Sequence, residues 1–493
     1  MYTNLSKTML AAAISVVVSV PAFAVSENQM QQLNKAVEKA NQLPEDKKKE
    51  FHAYVNTYLD QYEAWRDEYT QNLDNRRAKL IKIWGEGEVS SQTKEVQYSE
   101  NDAVKTTVDY ETNLATISVL VDEDSSTEEI QDLVKSLPVE VAGKKVKLNQ
   151  MKAEDHAVRY SLEKEQAEKD FVIQQTQRQM NELDVQAERL INSHTGIPDS
   201  FIYQRAHNKK LTLLEQAQQR IASQTELYNA MRAKYGIVVE QSETPEIVDT
   251  ELKPDLNTQA VVNAKQPKQE KAESVSKQVV KADASSTQTK MPLAAASIEK
   301  PKKVVSYKVK LPENSLKVRA SQYAPLAEKE SKNWKVDAAL IMAIMHSESA
   351  FRPNAKSHIP AFGLMQVVPT SAGHDVNKQV RNIDAPMKPE ELYEPVINVE
   401  TGTAYLDILN SKYLRKIEND ESRLYCVIAA YNTGAGNVAR AFNQDRSTNI
   451  GKASKVINSM SPDEVYKQLI ASLPYDETKG YLKKVSSRIA LYQ

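Results

Sequence analysis

One cysteine in 493 residues, Cys426, leaves no partner for an intrachain disulfide, so an oxidising compartment would be tolerated by this chain and not exploited. Glycine is scarce at 12 residues, and long stretches rich in Gln, Glu, Lys, Ala and Leu run with few turn signals. That excludes an all-β reading and predicts a mainly α chain. An excess of one charge is also missing: 64 basic residues stand against 66 acidic ones, a formal charge of -2. No whole-chain electrostatic signature of nucleic-acid binding follows from it. The seven histidines include no closely spaced pair suited to zinc, and no Asp-rich calcium loop occurs, so no metal and no cofactor is expected.

What is present begins with the first residues, MYTNLSKTMLAAAISVVVSVPAFA. Lys7 precedes an apolar run from Met9 to Val20, and Ala22-Phe23-Ala24 has the small-x-small form of a signal-peptidase site. The apolar run is about twelve residues, short of the ~20 that span a bilayer. The expectation is a signal peptide over 1–24, export, and cleavage after Ala24. Val25 follows the site where a lipoprotein needs cysteine, so no lipid anchor is expected, and no later stretch is apolar enough to span.

The length predicts two to four units of ordinary size. Residues 25–154 read as an N-terminal helical part plus a small α/β unit. Phe51, Tyr54, Val55, Tyr58, Leu59 and Tyr62 recur at spacings of three and four, a core-facing helical stripe. Around KTTVDYETNLATISVLVDED the period changes to two, with Asn113 at the turn of a hairpin and a short helix following from Ser126 to Ser136. Residues 155–236 read as a long helical hairpin broken at HTGIPDSF, where Gly196 and Pro198 oppose continuation. Two readings of it stand open: a hairpin packed on its own domain, or a coiled-coil arm that is the candidate surface for a protein partner. Residues 237–305 are rich in Lys, Gln, Ser and Pro and read as a disordered linker.

The chemistry is concentrated in 306–493. In VDAALIMAIMHSESAF, Asp337 can cap a helix whose Leu340, Ile341, Ile344 and Met345 form an apolar stripe, and Glu348 continues it. A carboxyl group on an apolar face is desolvated, its pKa rises, and it stays protonated near neutrality. A general acid for glycosidic cleavage needs that property. By itself, one such Glu is more often half of an ion pair at a helix end. Breaks at Pro353 and Pro360, then Gly363 before Leu364-Met365-Gln366, predict a loop returning Met365 and Gln366 to Glu348. An apolar helix from Tyr425 to Ala430 ends in Tyr431-Asn432, and Pro474, Glu477, Thr478 and Tyr481 form a last short pattern. Asp375 and Asp384 sit in no recognisable pattern.

Glu348-Ser349, Gly363-Leu364-Met365-Gln366 and Ala430-Tyr431-Asn432, in that order, resemble the soluble-lytic-transglycosylase family, which is related in fold to goose-type lysozyme. Asn398, Gly402 and Tyr405-Leu406 agree with it. The resemblance implies a lysozyme-like all-helical catalytic domain acting on peptidoglycan glycan strands in a Gram-negative periplasm. It further implies a one-carboxylate route: Glu348 protonates the bond between N-acetylmuramic acid and N-acetylglucosamine, the 2-acetamido oxygen attacks the anomeric carbon, and Glu348 then takes the C6 hydroxyl proton as a 1,6-anhydro ring closes. Ser349, Met365, Gln366, Tyr431, Asn432 and Tyr481 would bind or orient the substrate. A lysozyme-type hydrolase of the same fold and a non-enzymatic peptidoglycan-binding protein are the competing readings.

Overall fold

The computed structural model describes residues 45–137, 140–141, 144–145, 148, 151–192, 198–237 and 300–493. The signal peptide expected over 1–24 and nearly all of the expected linker lie outside them, as do the side chains of residues 51–59 in the first helical stripe. The chain divides into two units, Met1–Asp67 and Glu68–Gln493. Helix α1 (Glu45–Trp84) carries the described part of the first and runs on into the second.

A five-stranded antiparallel sheet follows, built from β1 (Lys94–Tyr98), β2 (Val104–Asp109) and β3 (Leu114–Asp122), then β6 (Ala153–Ala157) and β7 (Lys302–Lys310). Its order is β1-β2-β3-β7-β6. Between β3 and β6 lie helix α2 (Thr127–Ser136), closed by a Ser126/Glu129 capping box, and a two-stranded ribbon of β4 (Glu140–Val141) and β5 (Lys144–Lys145). Asn113 turns the β2–β3 hairpin at φ 55°. Alternation then sorts the faces. Ala115, Ile117, Val119 and Val121 pack with Val305 and Tyr307 and with Val134 of α2, while Val304 on the opposite face meets Leu80 and Trp84 of α1.

The sequence reading placed residues 155–157 in the helical hairpin, and here the structure differs. They belong to β6, whose pairing partner β7 arrives about 150 residues later. A strand whose ladder is that distant leaves only a weak local signal, and AEDHA alternates nothing apolar. β7 itself begins at Lys302 and fills the slot between β3 and β6, so the last residues assigned to the linker and the first assigned to the C-terminal part form one strand.

The hairpin helices are α3 (Leu162–Asn192) and α4 (Asp199–Lys234), with Pro198 at the α4 N-cap. Val172 packs on Ala217 and Ile221, while Met180 and Leu183 pack on Leu213, so the two run antiparallel. Much else that α3 buries is polar, including Glu165, Glu168, Lys169, Gln175 and Gln179. Ion pairs accommodate several of these groups: Glu165 with Lys169 at 2.8 Å and Arg232 at 2.6 Å, and Glu168 with Arg77 at 2.5 Å.

After β7 the chain is helical: α5 (Ser315–Trp334), α6 (Ala338–Ser349), α7 (Ala372–Gln379), α8 (Pro395–Ile408) with a π-turn at Leu409–Tyr413, α9 (Asp420–Thr433), α10 (Ala435–Phe442), α11 (Ile450–Ile457), α12 (Pro462–Ser472) and α13 (Asp476–Ile489). Asp337 caps α6, its Oδ1 accepting from Ala339 N at 2.7 Å. Every residue from Ala339 to Ser349 is buried. The predicted one-sided stripe is therefore a helix enclosed on all sides, as expected for the central element of a helical core. No helix among the described residues is long and apolar enough to cross a membrane.

Candidate active site

Glu348 occupies the last turn of α6, 7% exposed, at the floor of a cleft. Burial pushes its carboxyl up to about 7, against the opposing influence of Arg178, Tyr481 and Lys484. A group poised there can both give and take a proton near neutral pH. Three residues predicted for the site line the same cleft: Gln366, Tyr431 and Asn432.

The loop after α6 is set by backbone geometry. Gly363 has φ 76°, and a Cβ there would overlap Leu392 O and the Asn398 amide. Asn398, fully buried, donates to Phe362 O at 2.8 Å and Leu392 O at 2.7 Å and accepts from Met365 N at 2.8 Å. One side chain thus clamps three points of the loop. Gln366 sits at φ 49° and donates through Nε2 to Ala355 O and Gly363 O, while its Oε1 is buried without a partner among the described residues.

Met365 turns away from the cleft. Its side chain is fully buried against Gly402, where any Cβ would collide with the thioether, and its carbonyl accepts from Tyr431 Oη at 2.9 Å. Ser349 is also fully buried; its hydroxyl lies 2.8 Å from Leu364 O and 3.0 Å from Met345 O, tying the end of α6 to the loop. Tyr431 packs on Tyr405 with ring centroids 5.7 Å apart. Asn432 accepts from Thr478 Oγ1 at 2.7 Å. Tyr481, on α13, is buried beside Glu348, and burial together with that carboxylate holds its phenol well above the usual range. Asp375 pairs with Arg189 at 2.6 Å and Asp384 with His374 at 2.8 Å.

The opposite wall was not foreseen. It is α3, which presents Gln177, Arg178, Asn181, Glu182 and Val185 to the cleft. Asn181 accepts from Thr433 Oγ1 and Asn437 Nδ2, each at 2.8 Å, and donates to Asn432 O at 3.3 Å. Glu188 accepts from Gly436 N at 2.7 Å, and burial pushes its carboxyl up to about 7. Glu182 accepts from Thr370 Oγ1 at 3.1 Å. The polar face of α3, at Arg178, Asn181, Glu182 and Asp184, was the only sequence signal, and it reads equally well as a solvated face. Among the described residues no group of three or more His, Cys, Asp or Glu side chains is placed to hold a metal ion.

Residues 325–454, which include the buried Glu348 of this cleft, match the family model "Transglycosylase SLT domain". That segment is thus similar to an SLT transglycosylase domain. Among individual proteins, the chain is 45% identical over 182 residues to membrane-bound lytic murein transglycosylase C of Pectobacterium atrosepticum, covering 37% of this chain and 50% of the relative. The protein of the same name from Klebsiella pneumoniae subsp. pneumoniae is 43% identical over 190 residues, 38% of this chain and 51% of the relative. The chain thus spans about half the length of the curated relatives it matches. A solved structure of lytic transglycosylase Slt from Pseudomonas aeruginosa is similar over 34% of this chain and 23% of its own, at 27% identity and a TM-score of 0.26.

Proposed function

We propose that this protein is a peptidoglycan lytic transglycosylase of the bacterial periplasm that cleaves the bond between N-acetylmuramic acid and N-acetylglucosamine, with Glu348 as its acid and base. The observation that carries the reading is the burial of Glu348 at the floor of an open cleft inside the segment matched by the SLT model. Glu348 protonates the leaving oxygen as the substrate's own acetamido oxygen attacks the anomeric carbon; the resulting carboxylate then removes the C6 hydroxyl proton while the C6 oxygen displaces the acetamido oxygen from that carbon, giving a 1,6-anhydro end. No water is consumed, and no second protein carboxylate is needed to form a bond.

The other residues divide by position. Gln366, with its free Oε1, Tyr431 and Asn432 meet the glycan; Tyr481 flanks Glu348; Ser349 and Met365 act from beneath, holding the loop that carries Gln366. Domain bounds follow the same reading, with a signal peptide at 1–24, a linker before β7, the catalytic part after it, and the N-terminal helices as a surface for a protein partner. Digestion of purified sacculi with the protein and with Glu348→Gln, followed by mass analysis, tests the function. Fragments lighter by one water than hydrolysis products, lost in the variant, support it. Reducing ends would mean a lysozyme-type hydrolase, and an active variant would overturn the role of Glu348.

A further inference from the structure

Arg178 lines the cleft together with Glu348, and it comes from outside the segment 325–454. Its register over the cleft is fixed from both sides. Upstream on α3, Gln175 donates to His358 O at 2.8 Å; downstream, Asn181 bonds to Thr433 and Asn437, and Arg189 pairs with Asp375. The guanidinium pairs with Glu477 in the first turn of α13 and stays 28% exposed toward the cleft. Residues that follow Glu477 on that helix are Thr478, which holds Asn432, and Tyr481, which flanks Glu348. A single side chain therefore reaches Glu348 by its charge and the opposite wall by its ion pair.

We propose that Arg178 is a positioning residue for the reaction proposed above: its cation keeps Glu348 able to return to the carboxylate form between the two proton transfers, and its pair with Glu477 holds the α13 turn against the cleft. The inference rests on that reading of the function. The chemistry favours such a group, because a carboxyl buried with no cation has a raised pKa: it yields its proton less readily, and the carboxylate from which it must act as a base is harder to form. The other groups facing Glu348 are Tyr481 and Lys484 of α13 and Tyr431 of α9. Lys484 and Arg178 each have a carboxylate partner, Glu111 at 3.3 Å and Glu477, and Arg178 opposes the burial of Glu348 more strongly than either Tyr481 or Lys484.

The test is the pH dependence of fragment release from sacculi by the full chain, by Arg178→Met and by Arg178→Lys. Activity that needs protonated Glu348 is lost as pH rises through its pKa. With the cation gone, that pKa rises, so the alkaline limb of Arg178→Met should move up by about one pH unit while the plateau rate falls. Arg178→Lys should keep the limb near that of the unaltered protein. Carbon-13 titration of labelled glutamate carboxyls, with Glu348→Gln to assign the signal, should show the same displacement without turnover. Coincident limbs and titrations in all three proteins, with only rate or melting temperature changed, would overturn the proposal. If the unaltered protein releases no fragments, the lytic function fails first and the proposal with it, even where the titration shifts.

Discussion

Two helices face each other across the cleft, and they are stabilised by opposite means. α6 is surrounded by a large apolar core that includes Ile341, Ile344, Met345, Leu364 and Val399. α3 meets the same group of helices through charges and amides: Asp184 with Arg440 at 3.1 Å, Arg189 with Asp375, and Glu188 with the Gly436 amide. Apolar packing is insensitive to salt and pH and costs most when shape changes; an ion-paired contact is weaker per pair and responds to both. The floor of the cleft is thus built to stay, and its second wall is tied down by interactions that conditions can loosen.

The sharpest way to break this contrast is to disturb the floor. Gly363→Val introduces a side chain at φ 76° into Leu392 O and Asn398 and should cost about 3–5 kcal/mol in chemical denaturation, with loss of lytic activity. On the α3 side, Asp184→Ala removes the carboxylate shared by two cations that are 20% and 13% exposed and should cost about 2–3 kcal/mol; the loss should shrink in 0.5 M salt, as that of Gly363→Val should not.

Glu348→Gln tests the floor from the other direction. A carboxyl raised to about 7 when folded and ordinary when unfolded destabilises the protein as pH rises from about 4.5 to 7, because the unfolded chain releases the proton more readily. Thermal unfolding should therefore show the variant more stable by about 1–3 kcal/mol at pH 8, with the gain gone at pH 4.5. The smallest effect is expected at the surface: Lys308→Ala removes a 2.6 Å pair between groups 53% and 59% exposed and should change stability by no more than about 0.5 kcal/mol.

These contrasts follow how local each signal was. The α6 cap, the placement of Glu348, the Asn113 turn and the break between α3 and α4 rest on residues within a few positions of one another, and the sequence shows them. Asn398 was visible only through the family likeness; its clamp on residues 362–365 is a pairing across more than thirty positions. β6 and β7 depend on each other across some 150 residues, and the α3 wall on contacts about 250 residues apart, between Asn181 and Asn432 to Asn437. No periodicity in one segment encodes which distant segment it will meet.

The position of β7 has a practical consequence. It is hydrogen-bonded on one side to β3 and on the other to β6, both of which precede α3 and α4. A chain begun at residue 306 would split that strand and lack both strands that pair with it. Conversely, β7 is held to β3 and β6 by hydrogen bonds as well as by the chain that connects them. Fragments 25–237 and 300–493, produced together, should find each other through the sheet and the α3 contacts and reconstitute one protein from two polypeptides.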